Sequence, residues 1–199
     1  IDIGTYESKG VLTNTAGDLI ASAVRPHKMD IPSQGWAEHD PEEVWWGDFV
    51  HITRELLEKS GASPHDILGV GLSTIAPDIL PVDRDVRPLR KGAILYGVDT
   101  RAAREMDYLN ATIGSDVIFD KCANVLSSQA TGPKILWLKN NEPEVYRKAY
   151  KFVTGASFLV ARLTGEFVID HLTGSFCLPL YDFEKRAWDD ELTKEVVEL

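Results

Sequence analysis

The chain opens with residues that could bind a metal ion and a phosphate. Asp2, Gly4, Thr5 and Lys9 lie within the first ten residues, among strand-like neighbours. A carboxylate at a strand end can hold Mg²⁺, usually through water. Gly4 lets the backbone approach a phosphate, to which the following amides and the Thr5 hydroxyl can donate, and Lys9 adds a positive charge. The group suits a nucleotide phosphate site, although the bare pattern favours a plain turn between two strands.

Two later segments, each following a strand-like run, could contact a sugar. In YGVDTR (96–101), Asp99 can accept from sugar hydroxyls and Arg101 can donate to them; a helix N-cap beside a solvated arginine is the simpler alternative. STIAPD (73–78) follows a predicted buried strand, where a ligand crevice often opens; an ordinary proline turn is its alternative. Trp36 could stack on a sugar ring or pack ahead of a helix. None of these segments alone decides between its two interpretations.

The composition excludes several classes of protein. The 199 residues carry a formal net charge of −10 without a basic run, which argues against nucleic-acid binding. The two cysteines are far apart and the five histidines form neither HxH nor HExxH, so we expect buried thiols and no transition-metal site. No apolar run approaches the ~20 residues that span a bilayer, and neither GxxxxGK[ST] nor a strand–GxGxxG–helix unit is present. We expect a cytoplasmic protein that binds neither membranes nor nucleic acid.

Local patterns predict a mixed α/β domain. A turn at 14–18 joins the first strands into a β-meander, and Asp40 can cap a helix whose apolar residues recur at 4, 3, 4 spacing. Strands are predicted at 1–3, 9–13, 19–25, 67–72, 79–82, 93–95 and 152–153, those at 79–82 and 93–95 forming a hairpin. Helices are predicted from Asp40 to Gly61, at 102–110, from 131, from 143, at 157–163 and from 189 to the end.

Six segments, taken together and in order, resemble the FGGY carbohydrate kinases. They are DIGT…SKGVL (2–12), GWAEHDPEEVWW (35–46), GVGLS (69–73), AILYGVDTR (93–101), TGPKILWL (131–138) and LTGEFVIDHLTGSFCLPLYDFEKRAWDDEL (163–192). The resemblance implies an α/β domain of the actin-like ATPase (ribonuclease H-like) fold, with a mixed sheet, an antiparallel β-meander and flanking helices. It also implies ATP and Mg²⁺ as cofactors, a sugar as partner, and transfer of the γ-phosphoryl group of MgATP to a sugar hydroxyl.

The resemblance assigns roles to individual residues and makes phosphate and metal binding the better interpretation of the opening loop. By this resemblance, Asp2 is the metal-binding residue. The phosphate of ATP is expected at Gly4, Thr5 and Lys9. The sugar pocket is expected to be lined by Ala76, Pro77, Asp78, Asp99, Arg101 and Gln129.

Departures from the family's pattern bear on the acceptor. Tyr6 and Glu7 stand where the family often has small hydroxyl residues or glycine, so we expect the Glu7 side chain to point away from a phosphate. Ile75-Ala76-Pro77 stands where xylulose kinases carry Gln-Met-His and where glycerol kinases carry Arg-Glu. We expect a pentulose such as xylulose as acceptor. The alternatives are glycerol, another polyol, or a non-catalytic relative that acts as a sensor.

The resemblance also predicts which part of the family's architecture the chain contains. Residues 1–199 correspond to the N-terminal domain, truncated at both ends, and the C-terminal domain is expected to be absent. The family's catalytic aspartate, the general base for the sugar hydroxyl, is expected after Leu199. We therefore expect no catalytic residue here and no turnover by the isolated chain. A homodimer is expected because a cut domain edge exposes apolar surface.

Overall fold

The computed structural model describes residues 1–198, which fold into short strands and helices around three apolar clusters. The strands are β1 (Asp2–Ile3), β2 (Glu7–Thr13), β3 (Leu19–Pro26), β4 (Glu38–His39), β5 (Ser73–Thr74), β6 (Leu80–Val82), β7 (Ala93–Ile94), β8 (Lys151–Val153), β9 (Tyr181–Asp182) and β10 (Ala187–Trp188). The α-helices are α1 (Gly47–Ser60), α2 (Ala103–Leu109), α3 (Ser115–Cys122), α4 (Thr131–Asn141), α5 (Pro143–Lys148), α6 (Gly155–Thr164), α7 (His171–Ser175) and α8 (Asp190–Leu192).

The largest sheet has the strand order β3-β2-β1-β5. β1, β2 and β3 form the predicted antiparallel meander, and β5 runs parallel to β1. The predicted turn between β2 and β3 is confirmed: Asn14 Oδ1 accepts from the amides of Ala16 and Asp18, and Gly17 has φ +90°. A side-chain amide that bonds the backbone ahead of it and a glycine free to adopt positive φ together reverse the chain here.

The first predicted helix begins and ends at the expected residues. Asp40 Oδ1 accepts from the amides of Glu42 and Glu43, which caps a π-helical segment (Pro41–Trp46) that continues into α1. The apolar face of this helix is buried against β2 and β3, and Gly61 ends it with φ +67°. A Cβ atom on Gly10 of β2 would overlap Ile52 of α1, so a glycine is required at this crossing. The buried residues of that face are Trp45, Phe49, Ile52 and Leu56.

The strand predicted at 67–72 is wrong in its position. Only Ser73–Thr74 forms a strand there, and it runs parallel to β1. Leu68 is 85% exposed and Val70 55% exposed. β1 offers hydrogen-bond partners only to residues 71–75, and an apolar run without a paired neighbour or a covering element stays in solvent.

The hairpin predicted from 79–82 and 93–95 is confirmed in part, through the pairing of Ile79 with Ile94. Ile79 and Ile94 exchange two backbone hydrogen bonds of 2.9 Å. The strands themselves pair elsewhere, β6 with β8 and β7 with β4. Each of these partners lies more than fifty residues away in the sequence, so local patterning could not indicate them.

The remaining helices pack around two of these buried clusters. One joins β1, α1, β6 and α6, and the other joins α2, α3, α4 and the segment near residue 196. The helices predicted at 102–110, from 131, from 143 and at 157–163 are confirmed, whereas α3, α7 and the β9–β10 pair were not predicted. Across residues 1–198, no helix combines the length and apolar character needed to cross a membrane.

Candidate functional site

The Asp2–Lys9 segment forms a tight turn that presents charged side chains on one face of the sheet. The Gly4 amide donates to Glu7 O at 3.0 Å, and a Cβ atom on Gly4 would lie 2.6 Å from the same oxygen, so only glycine fits. Asp2 pairs in register with Lys9, which places both exposed side chains on the same face. The carboxylate and the ammonium group expected to bind metal and phosphate are therefore neighbours.

Glu7 is not directed away from this group, in contrast to the sequence prediction. Its Oε1 lies 2.7 Å from Lys9 Nζ, because residues two apart in a strand share a face. This contact is the main cause of a raised Lys9 pKa. A phosphate that binds Lys9 must compete with Glu7 for the ammonium group.

Thr5 links the opening turn to the segment around Tyr96. The Thr5 hydroxyl and the Tyr96 phenol oxygen are 3.2 Å apart, and either can donate. Gln129 is exposed and lies against the same segment, where its Oε1 accepts from the Gly97 amide at 3.3 Å. The structure therefore brings together the predicted phosphate residue Thr5 and the predicted sugar residue Gln129 through Tyr96–Gly97.

Asp99 and Arg101 lie behind this segment and not on its surface. The side chains of both are 0% exposed. Asp99 accepts from the Ala37 amide at 2.7 Å and from Arg101 Nη2 at 2.7 Å, and Arg101 Nη1 lies 2.8 Å from Glu38 Oε1. The prediction that they contact a sugar directly does not fit this geometry, because their polar groups face partners inside the protein. Their position is that of residues that hold segment 35–38 against segment 96–101.

Trp36 completes this buried cluster. The Arg101 guanidinium lies 4.0 Å from the Trp36 ring centroid, and Trp36 meets Trp137 edge to face at 5.2 Å. Stacking of a guanidinium on an aromatic face stabilises a buried arginine. Trp36 therefore packs on Arg101 and Trp137.

Lys134, which the sequence prediction did not single out, positions the Tyr96 backbone. Its side chain is almost wholly buried, and Nζ donates to the carbonyl oxygens of Leu95 (2.6 Å) and Tyr96 (2.9 Å). Burial lowers its pKa to about 8, while the negative charges of Asp99 and Asp78 act in the opposite direction. The position of Lys134 within the apolar run TGPKILWL could have indicated this role, because a buried lysine needs specific hydrogen-bond partners.

The predicted sugar residues at 76–78 are only partly accessible. Ala76 is exposed, whereas Pro77 and Asp78 are buried. Asp78 Oδ1 accepts from the Gly155 amide at the start of α6 (2.9 Å), and Oδ2 has no partner among the described residues. Asp78 therefore anchors α6 in this structure, and Ala76 alone presents its side chain to solvent.

The buried carboxyl of Asp78 should make stability depend on pH. Burial raises its pKa from 3.8 to about 7, so the folded protein holds a proton between these values that the unfolded chain releases. The stabilising contribution is complete below about pH 4 and is lost as pH rises through 7. We expect D78N, which mimics the protonated carboxyl, to gain stability relative to the wild type between about pH 5 and pH 8. Urea unfolding of both proteins at about pH 5 and pH 8 measures the difference in their free energies of unfolding. For the control variant D116N, at an exposed aspartate, this difference from the wild type should be the same at both pH values. The same constancy in D78N would contradict the prediction.

Asp2 supplies a carboxylate at the predicted metal position. Within residues 1–198, no group of three or more histidine, cysteine, aspartate or glutamate side chains comes together to hold a metal. This donor set fits Mg²⁺, which keeps several waters and commonly uses one or two carboxylates together with substrate phosphates. It does not fit a metal that needs a cage of protein ligands.

The sequence matches the N-terminal domain of the FGGY family of carbohydrate kinases over residues 1–197. The chain belongs to this family. Among its relatives, a glycerol kinase of Thermococcus gammatolerans is 31% identical over 96% of the chain and 39% of the relative. A xylulose kinase of Staphylococcus xylosus is 27% identical over 96% of the chain and 38% of the relative. This FGGY chain thus spans about two-fifths of the length of the curated relatives that it matches.

Solved structures confirm the predicted fold of this FGGY chain. A xylulose kinase from Rhodospirillum rubrum superposes with a TM-score of 0.88 at 24% identity, over 100% of this chain and 40% of the other. A Plasmodium falciparum glycerol kinase with ADP gives 0.87 at 23% identity, over 99% of this chain and 40% of the other. The domain has the actin-like ATPase fold, and FGGY kinases use ATP. Glycerol and xylulose kinases occur side by side among the relatives, so the family alone leaves the acceptor open.

Proposed function

We propose that this chain supplies the phosphate-binding part and one wall of the sugar pocket of an ATP-dependent carbohydrate kinase. The observation that carries the proposal is the turn at 2–9, where Asp2 and Lys9 share a face and Thr5 contacts the Tyr96 segment. Phosphoryl transfer needs little covalent chemistry from the protein and depends on positioning and charge neutralisation. Charged groups next to a tight glycine turn meet that need.

The proposed roles follow from where each group lies. The Thr5 amide and hydroxyl would donate to phosphate oxygens, and Lys9 would release Glu7 to neutralise them. Asp2 would hold Mg²⁺, which when bound neutralises charge on the β- and γ-phosphate oxygens. Tyr96 and Gln129 would face the acceptor, and Ala76 would lie at its edge. The 96–101 segment would be held in position from inside the protein by Asp99, Arg101 and Lys134.

We propose a pentulose such as xylulose as the acceptor. Residues 75–77 lack both the Arg-Glu expected of a glycerol kinase and the Gln-Met-His expected of a xylulose kinase, so the support for xylulose is the likeness of the chain to xylulose kinases. Glycerol remains the second candidate because glycerol kinases of Thermococcus gammatolerans and Rhizobium meliloti are 31% and 32% identical to the chain. The general base for the acceptor hydroxyl is proposed to lie outside residues 1–199, together with the second domain, and a cytoplasmic location and a homodimer belong to the same proposal.

ADP release from MgATP tests this function. The whole protein and the chain 1–199 are assayed beside each other with xylulose, ribulose, other ketoses, polyols and glycerol. We expect the whole protein to release ADP with one acceptor and the chain 1–199 to release none. Turnover that scales with the concentration of the chain 1–199 would contradict the proposed position of the base. ATP binding without ADP release on any acceptor would favour the non-catalytic sensor.

A further inference from the structure

Two histidines lie behind the Gly4–Thr5 turn and bond its carbonyl oxygens. His27 Nε2 is 3.0 Å from Gly4 O, and His39 Nε2 is 3.0 Å from Thr5 O. A carbonyl oxygen only accepts, so each of these ring nitrogens must carry a proton. The turn that would hold a phosphate is therefore fixed by two imidazoles through its carbonyl oxygens.

The second ring nitrogen distinguishes the two histidines. His39 Nδ1 lies 3.4 Å from Trp45 Nε1, an indole nitrogen that can only donate, so His39 is neutral. Burial lowers the His39 pKa to about 4, which agrees with this. His27 Nδ1 instead lies 2.7 Å from Asp48 Oδ2, and a carboxylate only accepts. His27 thus faces an acceptor at both nitrogens, which is the bonding pattern of an imidazolium.

The groups around His27 leave one net positive charge in this cluster. Asp48, with its side chain 1% exposed, also accepts from Ser8 Oγ at 2.6 Å and pairs with Arg25 Nε at 3.1 Å. Two cations therefore share one carboxylate. The neutral His39 ring meets His27 edge to face at 5.0 Å. Two other charged side chains of this region, Lys28 and Asp30, are exposed. Lys28 follows His27 in the chain, and the negative charge of Asp30 acts to raise the His39 pKa.

We propose that His27 is held as an imidazolium by Asp48 and is a positioning residue for phosphate: it fixes the Gly4–Thr5 turn and places positive charge behind it. The inference rests on the proposed kinase function and extends it to a residue that does not touch the ligand. The chain carries a net charge of −10, so an anion binds only where local charge opposes that field. At an effective dielectric of about 20, a buried unit charge about 12 Å from a phosphate changes affinity by about 10-fold.

The protonation state can be read directly in the wild-type protein. The intact protein is labelled with ¹⁵N-histidine, and the ring nitrogens are observed through their long-range couplings to ring protons near neutral pH. We expect both His27 nitrogens to be protonated and His39 to carry a proton on one nitrogen only. An unprotonated ring nitrogen on His27 would overturn the inference, and this result does not depend on any variant folding.

Binding of MgADP tests the consequence for phosphate. In calorimetric titrations of the intact protein, we expect H27Q to bind MgADP about 10-fold more weakly than the wild type. The same substitution at exposed His65, H65Q, should leave the affinity unchanged. H27Q that binds MgADP as tightly as the wild type would overturn the inference.

The two proposals fail in different ways. A wild-type protein that binds no MgADP would overturn the kinase proposal and with it the phosphate role of His27. A wild-type protein that binds MgADP while His27 is neutral would overturn this inference alone.

Discussion

Replacing Arg101 with methionine is expected to lower the free energy of unfolding by about 3–5 kcal/mol, because it leaves a buried carboxylate without its cation. Asp99 would keep only the bonds from backbone amides such as that of Ala37. Glu38 would keep one of its two cationic partners, because Arg90 Nη2 also lies 2.8 Å from its Oε1. The loss of stability should be visible as a lower midpoint of urea unfolding in R101M.

Two further variants separate charge burial from lost packing. R104M places the same substitution at an exposed arginine close in the chain and should change stability by less than about 0.5 kcal/mol. In the double variant R101M/D99N both charges are absent, so it should be more stable than R101M alone. If R101M and the double variant were equally unstable, the ion pair would not be the cause.

Replacing Asp2 with asparagine is expected to lower kcat/KM of the whole protein about 10²–10³-fold, if the kinase proposal is correct. Asp2 is the carboxylate proposed to bind Mg²⁺ at the turn, and it is exposed at the end of a two-residue strand. Removing its charge leaves the fold unaffected but weakens the hold on the metal. The Mg²⁺ concentration that gives half-maximal rate should therefore rise in D2N.

An exposed aspartate far from the turn supplies the control for this variant. D107N, on α2, should retain wild-type kinetics and wild-type Mg²⁺ dependence. Wild-type kinetics in D2N would remove Asp2 from the proposed metal site. A loss of activity with an unchanged Mg²⁺ dependence would point to a role for the carboxylate other than binding the metal.

Features fixed by neighbours in the chain could be predicted from the sequence. The turn at 14–18 depends on Asn14 and Gly17, and the start of the first helix depends on Asp40 and the two residues that it bonds. All of these contacts span four residues or fewer. The antiparallel meander and the helix with its buried face follow from them.

The site was less predictable because its contacts join distant parts of the chain. Asp99 bonds Ala37 across 62 residues, Lys134 bonds Leu95 across 39, and Thr5 meets Tyr96 across 91. A sequence shows which side chains can donate or accept but not which partners they meet. Asp99 and Arg101 were therefore expected at a sugar, although they satisfy each other. The roles of His27 and His39 could not be predicted, because the carbonyl groups they bond belong to the backbone.

Amide chemical shifts test directly whether the Gly4–Thr5 turn binds the phosphates of a nucleotide. The intact protein with ¹⁵N-labelled glycine and threonine is titrated with MgADP, and the Gly4 and Thr5 amides are followed. We expect both signals to shift in a saturable manner at the affinity measured by calorimetry, while Gly17, in the distant turn between β2 and β3, stays unchanged. Saturation with MgADP that leaves both Gly4 and Thr5 unmoved would contradict the account.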